Sequence, residues 1–171
     1  APEPGAVFLT TGQLGLFGNG KALHPDFFND EIEILDLVTG TSTVLPSAAR
    51  PRGFAITPDG QTAVVTHNTF DGTDQVVSVL DLTVPAIVKT IAIGQNVGTA
   101  VAVDPTGTQA VVAVQNACVV VDLVNNTVGP NLNTASINEL LTTADGQYAL
   151  GVGFRGPLIS FASGAVVTEL N

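Results

Sequence analysis

The same order of short apolar runs and tight turns recurs along this chain, and a repeat of that kind leaves few folds open. In residues 51–96 the run Phe54-Ala55-Ile56 is followed by the turn Pro58-Asp59-Gly60, a second run from Thr62 to Thr66 and a polar loop. A third run from Val76 to Leu80, the pair Asp81-Leu82 and a fourth run from Val88 to Ile93 complete the unit. Residues 97–136 repeat it with Ala100 to Val103, the turn Asp104-Pro105-Thr106-Gly107, Gln109 to Val114, Cys118 to Val121, Asp122-Leu123 and a short Asn-rich end. Residues 137–171 do so with Leu140-Leu141, Asp145-Gly146, Tyr148 to Val152, Leu158 to Phe161 and Ala165 to Leu170. Residues 2–50 match in outline: Ala6 to Leu9, Thr11-Gly12, Leu14 to Phe17, Ile32 to Leu35 with Asp36-Leu37, and Thr43 to Leu45. The turn glycines Gly12, Gly60, Gly107 and Gly146 lie 48, 47 and 39 residues apart, and the marks Asp36, Asp81 and Asp122 lie 45 and 41 apart.

A period of this length with four short runs per unit predicts propeller blades rather than helical repeats. Valine, isoleucine and threonine dominate the runs, which suits a pleated surface, and no stretch keeps a 3.6-residue apolar spacing. Asp-Gly and Thr-Gly between two runs are hairpin signals, because glycine accepts the positive φ of such turns. The expected fold is all-β: one propeller-like domain of four blades, each of four antiparallel strands, at approximately 2–50, 51–96, 97–136 and 137–171. Asp36, Asp59, Asp81, Asp104, Asp122 and Asp145 sit at repeated turn positions, where a carboxylate accepts backbone hydrogen bonds, and are read as structural. Four blades are the lower limit for a ring. The chain opens on an innermost strand and closes on an outermost one with no strand exchanged between the ends. It is therefore expected either to close on itself or to complete a larger propeller with a partner or with further sequence.

The segment Pro51-Arg52-Gly53-Phe54-Ala55-Ile56-Thr57-Pro58-Asp59-Gly60-Gln61-Thr62-Ala63-Val64-Val65-Thr66-His67-Asn68 precedes Val77-Ser78-Val79-Leu80-Asp81-Leu82 and Val88-Lys89-Thr90-Ile91-Ala92-Ile93-Gly94. Together they resemble the YVTN-type β-propeller repeat. Val64-Val65-Thr66 with Asn68 stands near where that repeat has its Tyr-Val-Thr-Asn motif, although His67 intrudes and no tyrosine precedes. The resemblance implies the fold. Similar repeats occur in bacterial and archaeal surface proteins, in lactonase-like hydrolases and in quinoprotein or amine dehydrogenase subunits, so it implies no single activity.

Composition narrows the partners. Fifteen acids against five bases give a net charge of −10, which opposes binding to nucleic acid or to an anionic membrane surface. No apolar run reaches the length of a membrane span. Methionine is absent even from position 1, as in an exported chain that has lost its leader or in a fragment, and an extracellular, cell-surface or periplasmic location is expected. The single cysteine, Cys118, lies in an apolar run and reads as a core residue.

Two groups of candidate site residues follow from the blade layout. Propeller ligands meet the channel where innermost strands begin, which singles out Arg52, Asn96, Thr99, Asn138 and Glu139. They could pair with one another, hold a small polar ligand, or bind a divalent cation through oxygen atoms, the one cofactor they suit. An enlarged loop is expected at 18–31, between the second and third strands of the first unit, carrying His24, Phe27 and Phe28. The loop at 67–74 carries His67 and Phe70 in the same position, and the two loops form the expected partner-facing patch. No Gly-x-Ser-x-Gly elbow or phosphate-cradling glycine motif is present, so no catalytic residue is assigned. The reading is of a non-catalytic exported scaffold whose partner is a protein, a second copy or a larger assembly. The alternatives are a metal-assisted lactonase-like hydrolase and a piece of a longer quinoprotein-like propeller.

Overall fold

A computed structural model describes residues 14–18, 20–48, 50–68, 75–94, 96–153 and 155–170. No described residue is helical, and no helix is long and apolar enough to cross a membrane. Four antiparallel meanders succeed one another. Sheet 1 holds β1 (Gly15–Phe17), β2 (Lys21–Asp26), β3 (Glu31–Asp36) and β4 (Thr41–Pro46). Sheet 2 holds β5 (Pro51–Ile56), β6 (Thr62–His67), β7 (Val76–Asp81) and β8 (Ala86–Ala92). Sheet 3 holds β9 (Val97–Val103), β10 (Gln109–Val114), β11 (Ala117–Asp122), β12 (Thr127–Val128) and β13 (Leu132–Asn133). Sheet 4 holds β14 (Ile137–Thr142), β15 (Tyr148–Gly153), β16 (Gly156–Ser160) and β17 (Ala165–Leu170). This is a propeller-like array of blades. In sheet 3 the outermost strand is split at Gly129-Pro130, because proline has no N–H for the ladder; β12 and β13 each pair with β11.

Sheet 1 departs from the sequence expectation by one strand. The run at 14–17 forms the innermost strand rather than the second, and residues 21–26 of the supposed long loop are β2, which leaves residues 27–30 as the turn between β2 and β3. Pro25 and three titratable residues, Lys21, His24 and Asp26, hide a strand in Lys21–Asp26, yet Ala22, Leu23 and Pro25 are buried there. Ala6 to Leu9 and Gly12 lie outside the described residues.

Burial explains why the runs look different along the chain. Sheets 2 and 3 are covered on both faces, so β6, β7 and β10 are buried almost throughout, and even Thr66, His67 and Ser78 are enclosed. In β6, Ala63 and Val65 face sheet 1 while Val64 packs into the sheet 2–sheet 3 core. Sheets 1 and 4 each cover one face, and β3 and β15 alternate accordingly. Packing runs from sheet 1 to 2 to 3 to 4. Among the described residues no comparable packing joins sheet 4 to sheet 1, so the blades form an open arc and not the self-closed ring. Hydrogen bonds tie neighbouring sheets: Gln75 Oε1, buried, accepts from the Val97 N–H at 2.7 Å, and the half-buried Thr142 Oγ1 donates to the Val103 carbonyl at 2.7 Å.

The repeated carboxylates hold turns. Asp36 accepts from the N–H groups of Val38 and Thr39, Asp81 from those of Thr83 and Val84, and Asp122 from those of Val124 and Asn125. Sheet 4 uses Ser160 at this point, with Ser163 N–H donating to its Oγ. In the turns after the innermost strands Asp59 and Asp145 accept from Thr57 and Thr143, and sheet 3 reverses the pair, with Thr106 donating to Asp104. These turns also nest. A Cβ at Gly60 would stand 3.4 Å from Gly18 N, one at Gly107 3.3 Å from Thr62 Oγ1, and one at Gly146 2.1 Å from Pro105 Cγ. Each turn is thus seated on that of the blade before it.

Hydrogen bonds from turn side chains and N–H groups hold Asp26, Asp36, Asp81, Asp122 and Asp145 below the usual carboxylate range. Their native values lie below their unfolded ones. The stability they contribute is complete above the unfolded value, about 3.9, and is lost as pH falls through the native values. Urea midpoints are expected to hold level between roughly pH 5 and 7 and to drop below about pH 4. A midpoint that rises on acidification would contradict this assignment.

Cys118 is 0% exposed in the sheet 3–sheet 4 core, beside Thr134 Oγ1 at 3.7 Å. Burial pushes its thiol up to about 11, so little reactive thiolate exists at neutral pH. Ellman's reagent is expected to leave the native protein unlabelled and to react with one thiol per chain in urea.

Candidate functional site

Three innermost strands and one turn line an open cavity of about 450 Å³. Strand β5 supplies Pro51, Arg52, Gly53 and Phe54; β9 supplies Thr99, Ala100 and Val101; β14 supplies Asn138, Glu139 and Leu140. The turn between β2 and β3 closes one side with Phe27 and Phe28. The strands approach this closely because of Gly53. Its N–H donates to Thr66 Oγ1 at 3.0 Å and its carbonyl accepts from the same hydroxyl at 3.2 Å, within a register shift between Pro51 and Phe54. A Cβ there would lie 1.6 Å from the Thr99 carbonyl oxygen, so only glycine lets β5 and β9 meet.

Arg52 stacks its guanidinium over the Phe27 ring, 4.6 Å from the centroid, and Arg50 lies 5.5 Å from the same centroid. Such contacts use the cation and the ring face, not the in-plane N–H donors. Phe27 also meets Phe28 edge to face at 5.3 Å, and Phe28 is 87% exposed. The turn is fixed by Asp26, which accepts from the N–H groups of Phe28 and Asn29 and from Asn29 Nδ2. Asp30 joins it to the next blade, its Oδ1 accepting from Arg50 N–H at 2.7 Å.

Four of the five channel-mouth candidates, Arg52, Thr99, Asn138 and Glu139, thus line one cavity. Asn96 does not line it; its Nδ2 donates to Gln115 Oε1 at 3.1 Å. Sequence reasoning missed the apolar wall, Phe27 included, because it placed that residue on a projecting loop. The partner-facing patch is not assembled as expected. His67 is 0% exposed at the end of β6, its Nδ1 3.1 Å from the Ala48 carbonyl, and so cannot face a partner from a loop. His24 lies in β2, 3.7 Å from Glu33 in an ion-pair geometry, and Phe70 lies outside the described residues. Among the described residues no group of three or more His, Cys, Asp or Glu side chains could hold a metal ion.

Neither a family model nor a curated protein matches the sequence. Many solved chains share the architecture. One, in Kuenenia stuttgartiensis hydrazine synthase, superposes with a TM-score of 0.71 at 22% identity, over 88% of this chain and 45% of that one. The likeness is one of fold. The chain spans about 45% of the length of that relative.

Proposed function

We propose that this chain is a YVTN-type propeller module, exported to the cell surface or periplasm, that works without catalysis as an assembly scaffold. The observation that carries the reading is the outer face of sheet 4. Leu141 and Val152 share that face with Leu150 and Leu158 and are 40% and 44% exposed, with no sheet laid over them among the described residues. Propeller blades bury such a face against the next blade. The occupant we assign is sheet 1 of a second copy, whose own outer face presents Leu16 and Val44. Light scattering after size exclusion is expected to give about twice the 17.4 kDa chain mass, and Leu141→Asp to reduce it to the chain mass. A wild-type monomer at micromolar concentration would refute the second copy.

The partial span of the solved relative favours a second reading, in which further blades belong to the same polypeptide. The intact mass of the natural product decides between them.

A further inference from the structure

We infer that the cavity between β5, β9 and β14 binds a neutral carbohydrate. Its volume, about 450 Å³, falls in the range of small-ligand sites. The polar groups come from three separate strands and are of mixed kind. Arg52 brings donors and Glu139 acceptors, both already engaged within the chain, while Thr99 and Asn138 can donate and accept. The two formal charges are opposite, so the wall offers no net attraction to an anion or a cation, and either would be desolvated beside a group of its own sign. Carbon surface from Phe27, Phe28, Phe54, Val101 and Leu140 covers the remainder. A sugar ring answers both halves of this lining. Its hydroxyls donate and accept around the edge, while its C–H faces lie flat against aromatic and aliphatic carbon. Thr99 and Asn138 are exposed to the cavity, and their side chains make no hydrogen bond to a described residue, so their capacity is open to a ligand.

This inference is independent of the assembly reading, because the cavity is built from one chain, and it is tested separately. Titration calorimetry on the full chain would use maltose, cellobiose and diacetylchitobiose as neutral probes, with glucuronate and glucosamine as charged ones. At least one neutral disaccharide is expected to bind with a Kd below about 10 mM and at least about tenfold more tightly than either charged sugar. Thr99→Ala and Asn138→Ala remove exposed side chains, so both variants are expected to melt like the parent. Each is expected to weaken that binding by about fivefold to tenfold, the loss of one neutral hydrogen bond. Arg52 also packs on Phe27 and is a poorer probe. No binding by any neutral disaccharide, equal binding of the charged sugars, or unchanged affinity in both variants would each overturn the inference.

Discussion

Alanine at position 53 is expected to cost at least about 3 kcal/mol of stability and to lower the melting temperature by about 6 to 12 °C. One added methyl group does this because of where it points. Its carbon would sit 1.6 Å from the Thr99 carbonyl oxygen and 3.0 Å from Thr66 Oγ1, and the first of these is backbone. Neither strand can retreat freely. Strand β9 is laddered to β10 and its side chains enter the cores on both sides, while the buried Thr66 hydroxyl clamps Gly53 from behind. Thr66→Val, nearly the same in shape, is expected to cost about 1–3 kcal/mol by stranding the Gly53 N–H and carbonyl. Ser78→Ala is the contrast: its buried hydroxyl has no partner among the described residues, so the change is expected to be neutral or slightly stabilising. A Gly53→Ala protein melting within about 2 °C of the parent would show that the inner strands do not meet as described.

Gly146→Ala is expected to cost about 2–4 kcal/mol, combining a left-handed backbone with a steric clash. Gly146 has φ of +70°, and a Cβ would stand 2.1 Å from Cγ of the Pro105 ring, which cannot swing aside as a flexible side chain would. The strain falls on the junction between sheets 3 and 4, which also shelters Cys118. The variant is therefore expected to label with Ellman's reagent faster than the parent under native conditions, as well as to melt earlier. Earlier melting without faster labelling would place the damage elsewhere.

The parts that sequence revealed are those whose causes are local. Turn carboxylates such as Asp81 bond to groups two and three residues away, so their spacing announces them. The runs of β6 and β10 stand out because burial on both faces removes polar alternation. Sheet 1 was obscured for the opposite reason: β2 holds His24, Pro25 and Asp26, and its stability rests on Leu23 packing in the sheet 1–sheet 2 core. The cavity was half legible. Strand beginnings pointed to Arg52, Thr99, Asn138 and Glu139, but Phe27 belongs there only through a turn whose position depended on recognising β2. His67 looked like a loop residue because an imidazole and an asparagine end an apolar run; the fold instead extends the strand over His67. The role of Gly53 depends on a carbonyl in another blade, for which the local sequence carries no signal.

The seating of each hairpin on its predecessor gives the arc a sense of direction, like overlapping roof tiles. The side that carries Pro105 receives, and the side that carries Gly146 is laid down. Copies that join by the same contact must therefore link head to tail, not face to face. Two chains could satisfy this only around a twofold axis running down the channel. A mutation that spoiled the closing angle while sparing the contact would turn that ring into an open-ended filament.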